Sequence, residues 1–239
     1  FLYNYWLDAA HPRGLWRRTT MASYRGPAPE WEVVLDLDAL AAAEGEDWVW
    51  HGAGTLPGTH DRALLRLSRG GSDAVVLREF DLAARRFVEN GFVLPEAKQG
   101  ADWINRDTLV VSSTLGEGNA TTSGYPRVVR LWRRGTPFEA ARAAFEIDAG
   151  HMSAFACLGR TSSPPRLWFG DRPAFFDTIV HLGGPEGPKL RIDLPTDARW
   201  IAHGDFVVLM PRTPWTTGGV TYPTDTVLGM RLSDVLAGD

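Results

Sequence analysis

The stretch that could most readily do chemistry is Gly70-Gly71-Ser72. In the G-x-S-x-G turn of serine hydrolases, glycines stand two residues before and two residues after the serine, between a strand and a helix. Gly70 has the first position here, but Ala74 occupies the second. A β-branched apolar run starts at Val75 and predicts a strand where the helix should begin. The pattern therefore predicts a hairpin turn at Ser72 and no nucleophile.

The six histidines form no metal-binding pattern, because no pair has H-x-x-x-H or H-x-H spacing. A metal site would have to be assembled from distant strands. His51 and His203 follow Trp50 and Trp200 on strand-like segments, so both could face a channel and contact substrate. A surface or core position is the more common alternative for a histidine. The sequence predicts no metal, no cofactor and no catalytic residue in this chain.

Cys157 is the only cysteine, which excludes an intramolecular disulfide framework and a cysteine zinc cluster. Phe155 and Leu158 flank it, so we expect Cys157 to pack as a small hydrophobic residue. The formal net charge of −4 gives no overall attraction to nucleic acid or to an anionic membrane. No run approaches the ~18 apolar residues of a membrane span. Neither nucleic acid nor a membrane is therefore an expected partner.

The elements that would position such residues are mostly strands. Short β-branched and aromatic runs alternate with turn residues, and the chain contains 25 glycines, 16 prolines and 10 tryptophans. Such an alternation of short strands and turn residues is typical of a sandwich, a barrel or a propeller. Helical periodicity is limited to two short segments, Leu37 to Glu44 and Phe138 to Phe145. The pattern predicts an all-β fold with these two short helices.

A weak internal repeat favours the propeller. Ala101-Asp102-Trp103-Ile104, a turn and an apolar run recur 97 residues later as Ala198-Arg199-Trp200-Ile201, a turn and a second apolar run. Half of this offset is close to the ~40–50 residues of one four-stranded blade. Trp48-Val49-Trp50-His51 has the same role about one blade before Trp103. A sandwich with a chance likeness between two hairpins is the competing interpretation.

The repeat predicts about four to five blades, with four antiparallel strands in each complete blade. Propellers close with about four to eight blades, so incomplete ends would leave backbone edges open to pairing with another chain. Self-association through such edges is an expected property. The predicted blades are 1–47 (incomplete), 48–99, 100–150, 151–196 and 197–239 (incomplete).

Five segments resemble the first propeller strands of the prolyl oligopeptidase family. They are FLYNYWLDAAHPRGLWRRTT, WEVVLDLDAL, DWVWHGAG, SRGGSDAVVLREFDL and TSGYPRVVRLWRRG. The resemblance extends over nearly the whole chain and rests on strand patterns. It implies that the chain is part of a seven-bladed propeller that caps an α/β-hydrolase domain. The family's nucleophile lies in a Gly-Gly-Ser-x-Gly-Gly turn followed by Asp and His, and this chain contains none of the three positions.

By this resemblance, the whole protein hydrolyses short proline-containing peptides, and its propeller excludes folded proteins from an enclosed cavity. The chain lacks an initial Met, so we expect a fragment or a processed product. Because none of the three catalytic positions occurs in it, we expect it to be inactive without its own hydrolase domain. We expect a cytoplasmic location, or a periplasmic one if a signal peptide was removed. Two alternatives stay open: a stand-alone propeller for protein–protein interaction, and a propeller hydrolase with a channel metal bound by His51 or His203.

Overall fold

The computed structural model describes residues 1–237, which are mainly antiparallel strands. The chain forms two compact units, Phe1–Ala97 and the residues from Lys98 onward. Every strand pair is antiparallel, and the helices are short. The predicted all-β class is therefore confirmed.

The first unit begins with a three-stranded sheet in the order β1 (Leu2–Trp6), β2 (Leu15–Thr19) and β3 (Glu32–Asp36). The one-turn helix α1 (Met21–Tyr24) lies between β2 and β3. Helix α2 (Leu37–Glu44) follows β3 and has the predicted bounds.

The ends of α2 have a local cause. The Asp36 side chain accepts a hydrogen bond from the Ala39 amide at 2.9 Å and so caps the first turn. Gly45 ends the helix with a φ of 67°, a conformation that glycine adopts without steric cost. The signals that define α2 are thus all within the segment itself.

The second sheet of the first unit has five strands. Both β7 and β8 pair with β6. The strands are β4 (Trp48–Thr55), β5 (Arg62–Arg69), β6 (Val75–Asp81), β7 (Arg86–Phe87) and β8 (Val93–Ala97).

The sequence predicts one strand from Arg86 to Phe92, but the strand in the structure ends at Phe87. Asn90 adopts a φ of 54°, a left-handed conformation that asparagine tolerates better than most residues. The chain turns there and resumes as β8, while the Val88 amide donates to the Glu79 carbonyl at 3.0 Å. The local turn therefore divides one predicted strand into two.

Aromatic rings fill the space between the two sheets of the first unit. The ring centroids of Trp16 and Trp50 are 5.2 Å apart, and Tyr5 stacks on Trp50 at the same distance. Phe80 meets Trp16 edge-on at 6.2 Å. Such rings bury large apolar areas and add about 0.5–1.5 kcal/mol per well-placed pair. These rings thus form the contact between the two sheets of the first unit.

The second unit contains two four-stranded sheets whose strands follow chain order. The third sheet of the chain consists of β9 (Gln99–Asn105), β10 (Thr108–Ser113), β11 (Val128–Arg133) and β12 (Arg142–Glu146). The fourth sheet consists of β13 (Ser153–Gly159), β14 (Arg166–Arg172), β15 (Ile179–Gly183) and β16 (Leu190–Ile192).

The helix predicted from Phe138 to Phe145 is wrong. Only Phe138–Ala140 forms a short 3-10 turn, and Ala141 is already extended. The rest of the segment is β12, in which Phe145 pairs with Val129 of β11. Pairing with a distant strand therefore overrides the helix propensity of the Ala-Arg sequence.

The fifth sheet has three strands, with a small hairpin inserted between the second and the third. It consists of β17 (Arg199–His203), β18 (Phe206–Met210) and β21 (Leu228–Arg231), with β19 (Trp215–Thr217) and β20 (Val220–Tyr222) as the hairpin and α3 (Leu232–Ala237) at the end.

The two hairpins of the sequence repeat are the first two strands of the third and fifth sheets. Trp103 pairs with Leu109, whereas Trp200 pairs with Leu209. The two tryptophans therefore lie at different distances from their turns. Trp103 is fully buried, while Trp200 is half-buried. The repeat is preserved in strand order but not in side-chain register.

Candidate functional site

A cavity of about 600 Å³ lies in the second unit, beside β13, β14 and β17. This volume is within the usual range of small-ligand sites. Trp200 contributes one wall, and its ring centroid is 5.4 Å from that of Trp168. Phe175 and Phe176 form another wall and remain 66% and 59% exposed. The cavity thus offers large apolar rings that the fold itself leaves uncovered.

Three arginines beside these rings form no ion pair within residues 1–237: Arg172, Arg199 and Arg212. Arg172 ends β14, and its guanidinium carbon is 6.0 Å from the Phe155 ring centroid. Its Nε is buried and has no hydrogen-bond partner. The Arg212 guanidinium carbon lies 4.7 Å from the Phe176 centroid. Arg199 begins β17 and is exposed.

The lining described within residues 1–237 contains no carboxylate. Asp171 precedes Arg172 on β14, but strand alternation directs it away, and it contacts His151 Nδ1 at 2.7 Å. Asp197 accepts a hydrogen bond from the Thr213 hydroxyl at 2.7 Å. The cavity is therefore a cationic and aromatic site, suited to an anion that carries an apolar group.

Arg160 lies at the same cavity but differs from the other three, because it forms an ion pair with Asp102. The second oxygen of that carboxylate accepts a hydrogen bond from the Leu158 amide at 3.0 Å. This contact fastens the end of β13 to β9. Arg160 thus has a structural partner in the chain itself.

Cys157 is exposed at the cavity, so its predicted packing as a small hydrophobic residue is wrong. Strand alternation places Phe155, Cys157 and Gly159 on the same face of β13, and all three line the cavity. Partial burial, followed by the charge of Asp102, raises the pKa of the thiol, while Arg160 lowers it. Because the thiolate is the reactive form, the raised pKa lowers the reactivity of Cys157 relative to an ordinary cysteine.

Ser72 lies in the turn between β5 and β6, as predicted. Gly70 and Gly71 have φ values of 61° and 79°, and the two strands pair antiparallel from Arg62 to Leu67. The Ser72 hydroxyl donates to the Ala74 carbonyl at 3.1 Å. The serine therefore has the role of a turn residue, and a strand follows it.

His51 is exposed on β4 in the first unit, and His203 is exposed at the end of β17 in the second. Neither histidine lines this cavity, which we call the arginine cavity after Arg172, Arg199 and Arg212. The contact of the two histidines with substrate stays a prediction. Within residues 1–237, no three His, Cys, Asp or Glu side chains are grouped so that they could hold a metal ion. None of the helices in this same range is long and apolar enough to span a membrane.

Sequence reasoning missed the three cavity arginines as a group. They come from the end of β14, the start of β17 and the segment after β18, so their spacing forms no motif. The one local signal is Phe175-Phe176, two large aromatic residues in a loop. Exposed aromatic residues of this kind often mark a binding surface.

Comparison with known proteins places these features in context. A family model described as the N-terminal β-propeller domain of prolyl oligopeptidase matches residues 1–163. The uncharacterized peptidase y4nA of Sinorhizobium fredii is 36% identical over 98% of this chain and 33% of its own length. The uncharacterized peptidase RP174 of Rickettsia prowazekii is 28% identical over all of this chain and 35% of its own length. The chain thus spans about a third of these curated relatives.

Solved structures show the same likeness. A post-proline cleaving enzyme from Rickettsia typhi superposes with a TM-score of 0.88 at 28% identity, over 98% of this chain and 36% of that one. Oligopeptidase B from Leishmania major gives a TM-score of 0.70 over 99% of this chain and 32% of that one. At 13% identity, the second match shows a shared fold only.

Proposed function

The chain belongs to the prolyl oligopeptidase family, and from this premise we propose that it is the non-catalytic propeller portion of a serine peptidase that cleaves short proline-containing peptides. The observation that carries the proposal is the likeness to the R. typhi enzyme over 98% of this chain, because that enzyme is described as post-proline cleaving. The match to the N-terminal β-propeller model supports the assignment to the non-catalytic domain.

In this proposal the five successive sheets are blades, or parts of blades, of a seven-bladed propeller. The blades correspond to 1–47, 48–99, 100–150, 151–196 and 197–239. Their partner is an α/β-hydrolase domain in the same protein, which supplies the nucleophile, the base and the acid. The propeller limits access to that domain, so short peptides reach the nucleophile and folded proteins do not.

The division of labour follows from the chemistry of amide hydrolysis. A serine peptidase needs a serine next to a base, with the base oriented by a third group. Ser72 is a turn residue whose hydroxyl donates to a backbone carbonyl, and no serine in the sequence has the two glycines of a G-x-S-x-G turn. We therefore expect catalysis to reside in the hydrolase domain and not in this chain.

The test is an assay with two fluorogenic peptides that differ only in proline or alanine before the scissile bond. A longer protein, in which the hydrolase domain follows this chain, should cleave the proline peptide much faster. The purified 239-residue chain should cleave neither. The same proline sequence in a surface loop of a folded protein should resist the longer protein.

Turnover by the purified chain, or cleavage by the longer protein without preference for proline, would overturn the proposed activity. Equal cleavage of the peptide and of the folded protein would overturn the filter role alone. The assay therefore tests the proposed activity and the filter role separately.

A further inference from the structure

We propose that the arginine cavity binds the C-terminal carboxylate of a short peptide whose last residue is apolar. The inference rests on the proposed function only in taking short peptides as the ligand class. The site consists of Arg172, Arg199 and Arg212 with the rings of Phe175 and Phe176. It is a recognition site and requires no chemical step.

Unmatched charge distinguishes the cavity from the ion-paired arginines of the second unit. Several arginines elsewhere in the second unit meet carboxylates, as Arg166 meets Asp205 at 2.6 Å and Arg142 meets Glu186 at 3.1 Å. The arginines outside the cavity that form no ion pair within residues 1–237 include Arg133, Arg191 and Arg231, and these three are exposed to water. Three arginines line the cavity, and its lining within residues 1–237 contains no carboxylate. Cations in partly buried positions are stabilised by an anion or by hydrogen bonds. A ligand carboxylate supplies both.

The buried Nε of Arg172 has no hydrogen-bond partner. A buried donor without an acceptor costs about 1–3 kcal/mol. Its neighbour on the chain, Asp171, contacts His151 instead. The guanidinium is planar and matches the two oxygens of a carboxylate. A ligand carboxylate would therefore meet a guanidinium group that no residue of 1–237 engages in a hydrogen bond or an ion pair.

The exposed rings of the cavity favour a carboxylate that carries an apolar group over a phosphate. The Phe175 and Phe176 centroids are 4.8 Å apart, and Arg212 covers only Phe176. An apolar side chain next to a carboxylate would cover these exposed rings while its charge meets the arginines. A small, fully hydrated phosphate would leave the rings in water. The C-terminal residue of a peptide provides both groups at one carbon.

The test is isothermal titration of the full chain with Ala-Ala-Phe bearing a free carboxylate, with its C-terminal amide, and with inorganic phosphate. A peptide without proline keeps the result independent of post-proline cleavage. The free acid should bind at least about tenfold more tightly than the amide, as expected for a charge-assisted hydrogen bond. Phosphate should bind more weakly than the free acid.

Variants locate the site. Arg199→Gln and Arg212→Gln should each remove most of the difference in affinity between the peptide with a free carboxylate and its C-terminal amide. Arg191→Gln, an exposed arginine on β16 outside the cavity, should keep it. Equal affinity of the wild-type chain for acid and amide would overturn the proposal, whether or not any variant folds. So would phosphate binding as tight as the acid, or an equal loss in Arg191→Gln. The peptide with a free carboxylate could bind as predicted while the longer protein fails to cleave after proline. That result would leave this inference intact and overturn only the proposed function.

Discussion

The hairpin of β5 and β6 in the first unit and the cavity in the second unit use arginine in opposite ways. Arg62 lies between two carboxylates, with its Nε 3.6 Å from Glu79 and its Nη1 2.5 Å from Asp81. Arg69 is 2.9 Å from Glu46. The cavity arginines instead face aromatic rings and open space. Arg62 and Arg69 are neutralised by carboxylates of their own chain, whereas Arg172, Arg199 and Arg212 form no ion pair within residues 1–237.

The difference teaches what each set can do. A guanidinium group has five N–H donors, and those engaged by the chain's own carboxylates stabilise the fold and are not free for a ligand. A guanidinium without an ion pair keeps its donors for another molecule. Substitutions in the first region should therefore change stability, and substitutions in the second should change binding.

The largest expected effect is on the stability of the first unit. Glu79 is 1% exposed and accepts a hydrogen bond from the Phe92 amide at 2.9 Å. Glu79→Ala removes this acceptor and one partner of Arg62, so we expect a loss of about 3 kcal/mol in the free energy of unfolding. Urea denaturation measures it. Glu89→Ala, at an exposed position, is the control, and an equally small loss in both variants would contradict the structural role of Glu79.

A smaller effect should appear on acidification. His181 Nδ1 is buried without a partner, and burial lowers the pKa of the imidazole. Arg191 lowers it further, while Asp171 and a backbone hydrogen bond at Ile179 oppose the shift. The unfolded chain binds this proton at higher pH than the folded chain, so the stability contributed by His181 is present above about pH 6.5 and lost as the pH falls.

His181→Phe should therefore lose less stability between pH 7 and pH 5 than the wild type, as measured by urea midpoints at each pH. Leu182→Met, on the same strand but without a titrating group, should keep the wild-type pH dependence. An unchanged pH dependence in His181→Phe would show that burial of this imidazole carries no acid cost. The buried Nδ1 of His181, which has no hydrogen-bond partner, would then have no effect on the pH dependence of stability.

The smallest expected effect is a change in the reactivity of Cys157. Its raised pKa should make alkylation by iodoacetamide at pH 8 slower in the folded chain than in the unfolded chain. Arg160→Gln should slow the reaction further, because Arg160 lowers the pKa. Arg191→Gln is the charge-matched control. Faster alkylation in Arg160→Gln would contradict the electrostatic assignment at the cavity.

Local chemistry explains what could be predicted from the sequence. The turn at Ser72 follows from adjacent glycines, and α2 follows from Asp36 and Gly45 at its two ends. These signals lie within a few residues of the structure they determine. The all-β class follows in the same way from the cadence of short strands and turn residues.

Non-local pairing explains what could not be predicted. The segment from Phe138 to Phe145 has helix-forming residues, but β12 is fixed by its pairing with β11. The cavity arginines are distant in sequence, and only the packing of the fourth and fifth sheets brings them together. A single sequence states neither which carboxylates will be near Arg172 nor that Asp171 will contact His151.

The most direct test of the contrast is to measure stability and affinity together on Arg62→Gln and Arg212→Gln. Thermal unfolding gives the first quantity, and titration with Ala-Ala-Phe bearing a free carboxylate gives the second. Arg62→Gln should lower the unfolding temperature and keep the wild-type affinity. Arg212→Gln should keep the unfolding temperature and weaken binding about tenfold or more. A cavity variant that loses stability while binding the peptide as tightly as the wild type would contradict the account.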